Sequence, residues 1–460
     1  MPAQCNPDCL RFEVASGRRV EAAFDGGVVT SDAGGLLLGL CWKALSLPGR
    51  FATCFEDKRD PDLIEHGLET LLRQRVMGLA MGYEDLNDHD ALRHDPVLAL
   101  LAEKLEANRE DCAAVAGKST LNRLELSGPE ATRYHKIAHD GAAIERLLVD
   151  LFLESRAEAP EEIILDFDAT DDPLHGDQEG RFFHGYYDCY CYLPLYVFCG
   201  RDLLAAKLRR ADIDGCAGAK EEAERIVTRI RAAWPSTRII LRADSGFARE
   251  ELMQWCEANR VDYLFGLARN ARLGLEIAAE LAAARDEAKA TGKPARRFKD
   301  FRWTTLDSWS GERRVVAKAE WLGDKANPRF VVTSLGQQHF QAQPLYEELY
   351  CARGDMENRI KEAQGDLFGD RTSTRAMRAN QLRLWFSSLA YVLLTALRRI
   401  GLAGTVLAIA SCLSLRLKLL KIGATVTRST RRIKLAMASG FPLQETFAIA
   451  HGRLVAAIRN

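Results

Sequence analysis

One stretch of this chain, Glu161 to Thr170, limits the fold more than any other. Residues 163–165 form an apolar run of the kind that a central β-strand needs, and the polarity changes abruptly at Asp166 and Asp168. Such a stretch predicts a buried strand that presents a carboxylate at its C-terminal end.

Two later stretches carry acids in comparable positions. Residues 238–247 are a second apolar run, which ends at Asp244, and residues 350–362 have a helical pattern that contains Glu357. At about 100° per residue, one narrow stripe of that helix places an acid between two cations. The stripe consists of Tyr350, Arg353, Glu357, Lys361 and Gln364.

We predict that Asp168, Asp244 and Glu357 meet in the fold and share divalent metal ions. Phosphodiester cleavage can use two hard cations about 4 Å apart, one for the attacking oxygen and one for the leaving oxygen. Carboxylates suit Mg²⁺, which prefers oxygen ligands. Asp168 would bridge both ions, and Asp244 and Glu357 would each complete one. This chemistry needs no imidazole, and the nine histidines form no cluster in the sequence.

Each acid also has an ordinary structural interpretation, as a turn residue or as one partner of a helical ion pair. Asp166, Asp171 and Asp172 are alternatives to Asp168 for the first position, and Glu362 is the alternative to Glu357.

The order of predicted elements between 161 and 269 indicates the fold class. Three strands are followed by a helix, a fourth strand, a second helix and a fifth strand. This order predicts an α/β, ribonuclease H-like catalytic core. Right-handed crossovers would then bring the fourth strand beside the first, so that Asp168 and Asp244 lie at one edge.

Four regions are predicted along the chain. Residues 1–160 form a mostly helical N-terminal region that binds DNA, with a hairpin around Asp25-Gly26-Gly27 and one of its helices at 129–139. The catalytic core comprises 161–269 and 343–370, and a β-rich insertion occupies 270–342. Residues 371–460 form a basic C-terminal region.

The charge distribution favours a polyanionic partner. The whole chain has a net charge of −1, but residues 371–444 contain thirteen Lys and Arg and neither Asp nor Glu. Alternation of apolar and basic residues in 413–435 predicts a hairpin with one basic face. A solvated basic face is the alternative interpretation. The predicted phosphate-binding residues are Arg416, Lys418, Lys421, Arg428, Arg431 and Arg432.

Composition places the chain among soluble globular proteins, since 47% of its residues are apolar. Twelve scattered cysteines and the lack of a signal peptide predict a reducing cytoplasm. The apolar run at 384–397 is too short for a membrane span and predicts a buried helix.

Three blocks of the sequence resemble those of bacterial insertion-sequence DDE transposases. Asp168-Ala169-Thr170 resembles the D-x-T block, Asp244-Ser245-Gly246-Phe247 the D-x-G-F/Y block, and Tyr350-x2-Arg353-x3-Glu357 the Y-x2-R-x3-E block. Together with His175-Gly176, Gln178 and residues 353–358, the blocks are similar to those of the insertion sequence 1380 family. A related pattern has Lys where this chain has Gln364, and Lys361 is the alternative source of that charge.

The resemblance implies a cut-and-paste transposase that uses two Mg²⁺ ions, or Mn²⁺ in their place. It implies double-stranded DNA as the partner, both as terminal inverted repeats and as target, with Tyr350 and Arg353 near the cleaved phosphate. A homodimer or larger assembly in the synaptic complex and a location at the bacterial nucleoid, in the cytoplasm, are also implied. Two alternatives stay open: a ribonuclease H-like nuclease without strand transfer, and a domesticated, non-catalytic DNA-binding protein.

Overall fold

A computed structural model of the chain describes residues 9–12 and 18–459. These residues form two compact units. One unit consists of the described residues up to Ala52, Arg59–Leu124 and the chain from Ala396 onward, and the other consists of Thr53–Lys58 and Glu125–Thr395. We call them the terminal unit and the sheet unit. Residues 125–160 and 371–395 thus belong with the large sheet, whereas the sequence suggested boundaries at 160 and 370.

The strands differ greatly in length, and the longest belong to the sheet unit. In chain order they are β1 Leu10–Phe12, β2 Val20–Ala22, β3 Val29–Thr30, β4 Phe55–Asp57, β5 Ile137–His139, β6 Glu162–Ala169, β7 Asp172–Pro173, β8 Phe182–His184, β9 Cys189–Tyr192, β10 Leu195–Cys199, β11 Asp202–Lys207, β12 Arg238–Ala243, β13 Asp262–Leu267, β14 Ala295–Trp303, β15 Arg313–Leu322, β16 Lys325–Ala326, β17 Arg329–Thr333, β18 Ala424–Ser429 and β19 Arg432–Met437.

The α-helices occur in both units. They are α1 Leu36–Ala44, α2 Leu68–Met81, α3 His89–Leu92, α4 Pro96–Leu101, α5 Lys118–Glu125, α6 Gly141–Glu154, α7 Ala219–Ala233, α8 Glu250–Ala258, α9 Ala271–Glu276, α10 Ala278–Thr291, α11 Ala342–Pro344, α12 Gly354–Lys361, α13 Met377–Ala396, α14 Cys412–Leu415 and α15 Gln444–Arg459. Within the described residues, four segments are π-helical, namely Leu345–Tyr350, Glu362–Asp366, Leu397–Gly401 and Arg416–Leu420.

A large mixed sheet organises the sheet unit. Its strand order is β11-β10-β6-β12-β13-β17-β15-β14, with β16 paired to β15. β6 is antiparallel to β10 and parallel to β12, which is parallel to β13. The strands that the sequence predicted as neighbours, β6 and β12, therefore pair along residues 162–167 and 238–243.

The region predicted as a β-rich insertion extends this same sheet. β17 pairs antiparallel with β13, and β15 and β14 continue the ladder outward. Because β13 leaves one edge open to hydrogen bonding, the later strands add to it instead of forming a sheet of their own.

Both faces of the sheet are covered, which explains the apolar runs in its central strands. On one face, Leu165 and Leu241 belong to a buried cluster with Phe152 of α6, Ile226 of α7 and Met253 of α8. On the other face, the ring of Phe198 lies 5.7 Å from that of Tyr391 on α13. The buried helix predicted at 384–397 is thus the second half of α13 and the turn after it. No helix in the described part of the chain is long and apolar enough to cross a membrane.

The terminal unit combines helices with a small sheet. α1 and α2 bury apolar faces, and α2 ends at Gly82, whose φ of 97° is the left-handed conformation that glycine adopts easily. The small sheet has the order β19-β18-β3.

Three local predictions are wrong. The hairpin at residues 25–27 does not form, because β3 pairs with β18. The helix at 129–139 is absent, since residues 137–139 form β5 against β4, where His139 is buried. Residues 412–420 are helical, so only residues 424–437 form the basic hairpin.

Candidate active site

The edge of the large sheet brings the first two predicted acids together. In the pairing of β6 with β12, Phe167 lies opposite Ala243, so Asp168 and Asp244 follow at the same end of adjacent strands. A cleft of about 640 Å³ opens there. Asp168, Asp244 and Glu357 all line it, together with Arg353, Lys361 and Gln364.

A tight turn fixes the backbone at Asp244. A 3-10 turn, Ser245–Phe247, follows this acid directly, and Oδ1 of Asp244 accepts a hydrogen bond from the backbone N of Gly246 at 2.8 Å. Phe247 is buried against Phe167 with ring centroids 6.3 Å apart. The turn is thereby packed onto the strand that carries Asp168.

The third acid lies on an irregular helical segment. Residues 342–366 pass from α11 through a π-helical segment and a 3-10 turn into α12 and a second π-helical segment. Departures from regular α-helix of this kind are frequent at functional sites. The segment directs Arg353, Glu357 and Lys361 into the cleft, as the stripe in the sequence predicted.

Arg353 joins two of the acids. Its Nη1 donates to Oδ2 of Asp168 at 3.2 Å, and its Nη2 donates to Oε1 of Glu357 at 3.0 Å. Asp168 is mostly buried, whereas about half of the Glu357 side chain is exposed. One guanidinium therefore balances part of the negative charge in the cleft.

The pKa of Asp168 reflects its burial. This pKa is raised from 3.8 to about 7, chiefly by burial; Arg353 lowers it, and the carboxylates of Asp244 and Glu357 raise it. A cation bound next to Asp168 would favour the ionised carboxylate.

The residues fit a divalent ion by their chemistry, because all three acids offer hard oxygen donors. Among residues 9–12 and 18–459, however, no three His, Cys, Asp or Glu side chains are already arranged to hold a metal ion. The guanidinium of Arg353 lies between Asp168 and Glu357. A metal ion that binds through Oδ2 of Asp168 and Oε1 of Glu357 would therefore displace Arg353, whereas the second oxygen of each carboxylate is not contacted by Arg353.

Three of the four alternative acids have partners outside the cleft. Asp166 forms a two-pronged ion pair with Arg242, with N···O distances of 2.5 and 2.8 Å. Glu362 is buried and pairs with Arg359 at 2.7 Å. Asp172 is buried and accepts a hydrogen bond from Thr372 at 3.3 Å.

Two supporting residues were not found from the sequence. Nη1 of Arg242 donates to the carbonyl of Leu349, which ties β12 to the helical segment that carries Arg353. Gly266 on β13 leaves room for the site, since a Cβ there would lie 2.5 Å from Tyr350 Oη and 2.8 Å from the N of Ser245. The apolar run around Arg242 was a signal, because a cation inside a buried strand needs an acid on its neighbour.

The predicted phosphate-binding residues of the C-terminal region differ in how far they are exposed. Arg416 is buried and donates to the carbonyls of Leu79 and Ala80 at the end of α2, which contradicts its expected exposure on a basic face. Lys421 pairs with Asp32 at 2.6 Å, and Arg428 pairs with Glu106. The exposed members are Lys418, Arg428, Arg431 and Arg432.

Comparisons with known proteins show the family to which the chain belongs. No curated protein matches the sequence. A solved structure, titled as a cryo-EM structure of a piggyBac transposase synaptic complex with hairpin DNA, matches with 12% identity and a TM-score of 0.37, covering 85% of this chain and 80% of that chain. A TM-score this low does not identify a shared fold. The family model described as transposase DDE domain group 1 matches residues 12–458. The chain belongs to this family of DDE transposases.

Proposed function

We propose that the chain is a DNA transposase that moves an insertion sequence by cut-and-paste transposition, with Asp168, Asp244 and Glu357 as its catalytic acids. The observation that carries the proposal is that these acids, from three distant stretches, line one cleft. Membership of the DDE transposase family supports the same reading.

The strand order supports a ribonuclease H-like catalytic core. Strands β11, β10 and β6 are successively antiparallel, and β12 and β13 follow parallel to β6. This arrangement places Asp168 at the end of β6 and Asp244 at the end of β12, next to each other. The proposed chemistry requires such neighbouring acids.

The proposed metal is Mg²⁺, or Mn²⁺ in its place, since DDE transposase domains generally use divalent ions. When bound, such ions would activate an attacking water or 3′-hydroxyl and stabilise the leaving oxygen. Asp168, Asp244 and Glu357 would hold them, with Asp168 shared between two. Arg353, once released from the acids, would donate to a phosphate oxygen, because its planar fork matches phosphate. Tyr350 would orient Arg353, and Lys361 would add a cation at the rim.

The proposed partners are terminal inverted repeats and target DNA. Exposed Lys418, Arg428, Arg431 and Arg432 would contact phosphates, so affinity for DNA would fall steeply with salt. Two DNA ends must be joined in one reaction, which suggests a dimer or larger assembly.

A cleavage assay on DNA that contains the element's ends tests this function. Wild-type protein with Mg²⁺ should nick the ends and join the freed 3′-hydroxyl to target DNA. Asp168→Asn, Asp244→Asn and Glu357→Gln should each abolish nicking while retaining end binding. Asp355→Asn, an exposed acid on the same helix, is the matched control and should cleave normally.

Two outcomes would contradict the proposal. Cleavage without joining would identify a nuclease without strand transfer. Cleavage by any of the three acid variants at the wild-type rate would remove that acid from the site.

A further inference from the structure

A hairpin beside the acid cleft exposes an unusual number of aromatic rings. It is formed by β8 and β9, and its open rings belong to Phe182, Phe183, Tyr186 and Tyr190. The exposed fraction is 85% for Tyr186 and between 44% and 48% for the other three. Large rings left this open in a cluster mark a binding surface.

The hairpin is held firmly on the strand that carries Asp168. Its loop has only four residues, 185–188, and the N of Asp188 donates to the carbonyl of His184 at 2.9 Å. Tyr187 points inward, where its hydroxyl donates to the carbonyl of Ala169 at 3.4 Å. Cys191 of β9 and the nearby Leu193 are buried in one cluster with Ala211. Tyr186 is therefore presented at the tip of a supported loop.

One cation, Arg181, lies against the exposed rings. The edge of one ring of the Phe183 and Tyr190 pair meets the face of the other, with centroids 5.4 Å apart. The guanidinium of Arg181 lies 4.9 Å from the centre of the Tyr190 ring. Aromatic faces next to an arginine are the combination with which proteins bind unpaired nucleobases.

The position of the hairpin indicates what it would bind. His184, Tyr186 and Tyr187 line the same cleft as Asp168, Asp244 and Glu357. A base that leaves the double helix beside a phosphate in the cleft would come within reach of these rings. A paired base is already stacked on its neighbours and offers no free face.

We propose that the hairpin of residues 181–192 stacks on unpaired nucleobases of DNA next to the scissile phosphate. The inference rests on the proposed function, because it takes DNA as the occupant of the cleft. Stacking on these rings is tolerant of sequence, since every base has a flat face.

Fluorescence anisotropy with two labelled DNAs tests this proposal. One probe is a duplex with a short run of unpaired thymines in its middle, and the other is the same duplex fully paired, both in EDTA so that nothing is cleaved. Wild-type protein should bind the first more tightly. Tyr186→Ala and Phe182→Ala should each weaken binding to the unpaired probe by about fivefold or more. Binding to the paired probe should change by less than about twofold.

Two variants control for general effects. Tyr134 is 77% exposed and has Arg133 beside its ring at 5.8 Å, but it lies outside the hairpin, so Tyr134→Ala should leave the preference for the unpaired probe unchanged. Tyr186→Phe keeps the ring and should keep the preference for unpaired DNA.

Three results would overturn the proposal. If Tyr186→Ala keeps the wild-type preference, the hairpin does not stack on bases, although the transposase function stands. If the substitution instead converts a dimer to a monomer in ultracentrifugation without changing the preference, the rings contact a second copy of the chain. If the wild-type protein binds neither probe, the proposed function fails as well.

Discussion

Nη1 of Arg353 donates a hydrogen bond to Oδ2 of Asp168 at 3.2 Å. The same guanidinium reaches Glu357 through Nη2 at 3.0 Å. A cation of the protein's own thus lies between two of the acids that are proposed to bind metal. A metal ion bound through Oδ2 of Asp168 and Oε1 of Glu357 would compete with the arginine for these oxygens.

We therefore predict that Arg353→Gln binds Mg²⁺ more tightly than wild type, by about tenfold, since hydrogen bonds to charged groups contribute about 1.5–3 kcal/mol. Calorimetric titration at a pH of about 9 checks this, because there the Asp168 carboxyl, whose pKa is about 7, stays ionised in wild type. Lys361→Gln removes the same charge from the cleft without freeing a carboxylate and should change the affinity less. Equal or weaker binding by Arg353→Gln would refute the competition.

Asp166 should be needed for stability and not for metal binding. Its partner Arg242 is buried, with 8% of its side chain exposed. Asp166→Asn should lower the free energy of unfolding by about 3–5 kcal/mol, because it leaves a buried cation unpaired. Urea denaturation measures the loss.

Glu162→Gln is the control for this experiment. Glu162 pairs with Arg238 across the same two strands, but both side chains are about 40% exposed. Its loss should cost less than about 1 kcal/mol. A stable Asp166→Asn variant with weakened metal binding would instead make Asp166 a ligand.

Gly266 should tolerate no side chain. A Cβ at this position would meet the hydroxyl of Tyr350 and the backbone of Ser245. Gly266→Ala should therefore destabilise the protein by about 1–3 kcal/mol and displace Tyr350. Gly274→Ala on α9 has open space around it and should be neutral or stabilising by up to about 1 kcal/mol. Thermal unfolding of both variants checks the difference; equal melting temperatures would show that the close approach at Gly266 carries no cost.

We predict that ionisation of Asp172 lowers the free energy of unfolding as pH rises. Burial, followed by the charge of Asp370, raises the pKa of Asp172 to about 8, and among the described residues its Oδ2 has no hydrogen-bond partner. The unfolded chain has an ordinary pKa of about 3.9, so the folded state holds an extra proton between about pH 4 and pH 8. The free energy of unfolding therefore decreases across this window and levels off above it.

The substitution Asp172→Asn removes the contribution of Asp172 to the pH dependence of the free energy of unfolding. The variant should gain stability relative to wild type as pH rises through the window, measured by urea denaturation at several pH values. A difference between the two proteins that stays constant with pH would show that Asp172 is ionised in the folded state.

The sequence predicted those parts of the site that depend on local patterns. The ends of β6 and β12 could be read from apolar runs followed by acids, and strand adjacency followed from the order of elements. Glu357 was found because helical spacing placed it between Arg353 and Lys361. The strand ends and the helical stripe need only near neighbours in the chain, and the adjacency of β6 and β12 needs only the order of elements.

Other features depend on contacts between distant residues. The alternation in Leu415-Arg416-Leu417-Lys418 matches a strand, yet the segment is helical, and Arg416 is buried against the end of α2. His139 lies in a strand that exists only because β4 is beside it. Strands β14, β15 and β17 looked like a separate insertion, since nothing in the sequence indicates that β13 has a free edge.

The most direct test is a crystal structure of the protein soaked in Mn²⁺, with anomalous scattering used to locate the metal. We expect manganese to be coordinated by Asp168, Asp244 and Glu357, with Arg353 displaced from Asp168 and Glu357. Asp168→Asn crystals treated in the same way should lack this density. Manganese bound elsewhere, or bound equally well in the Asp168→Asn variant, would contradict a shared metal site for the three acids.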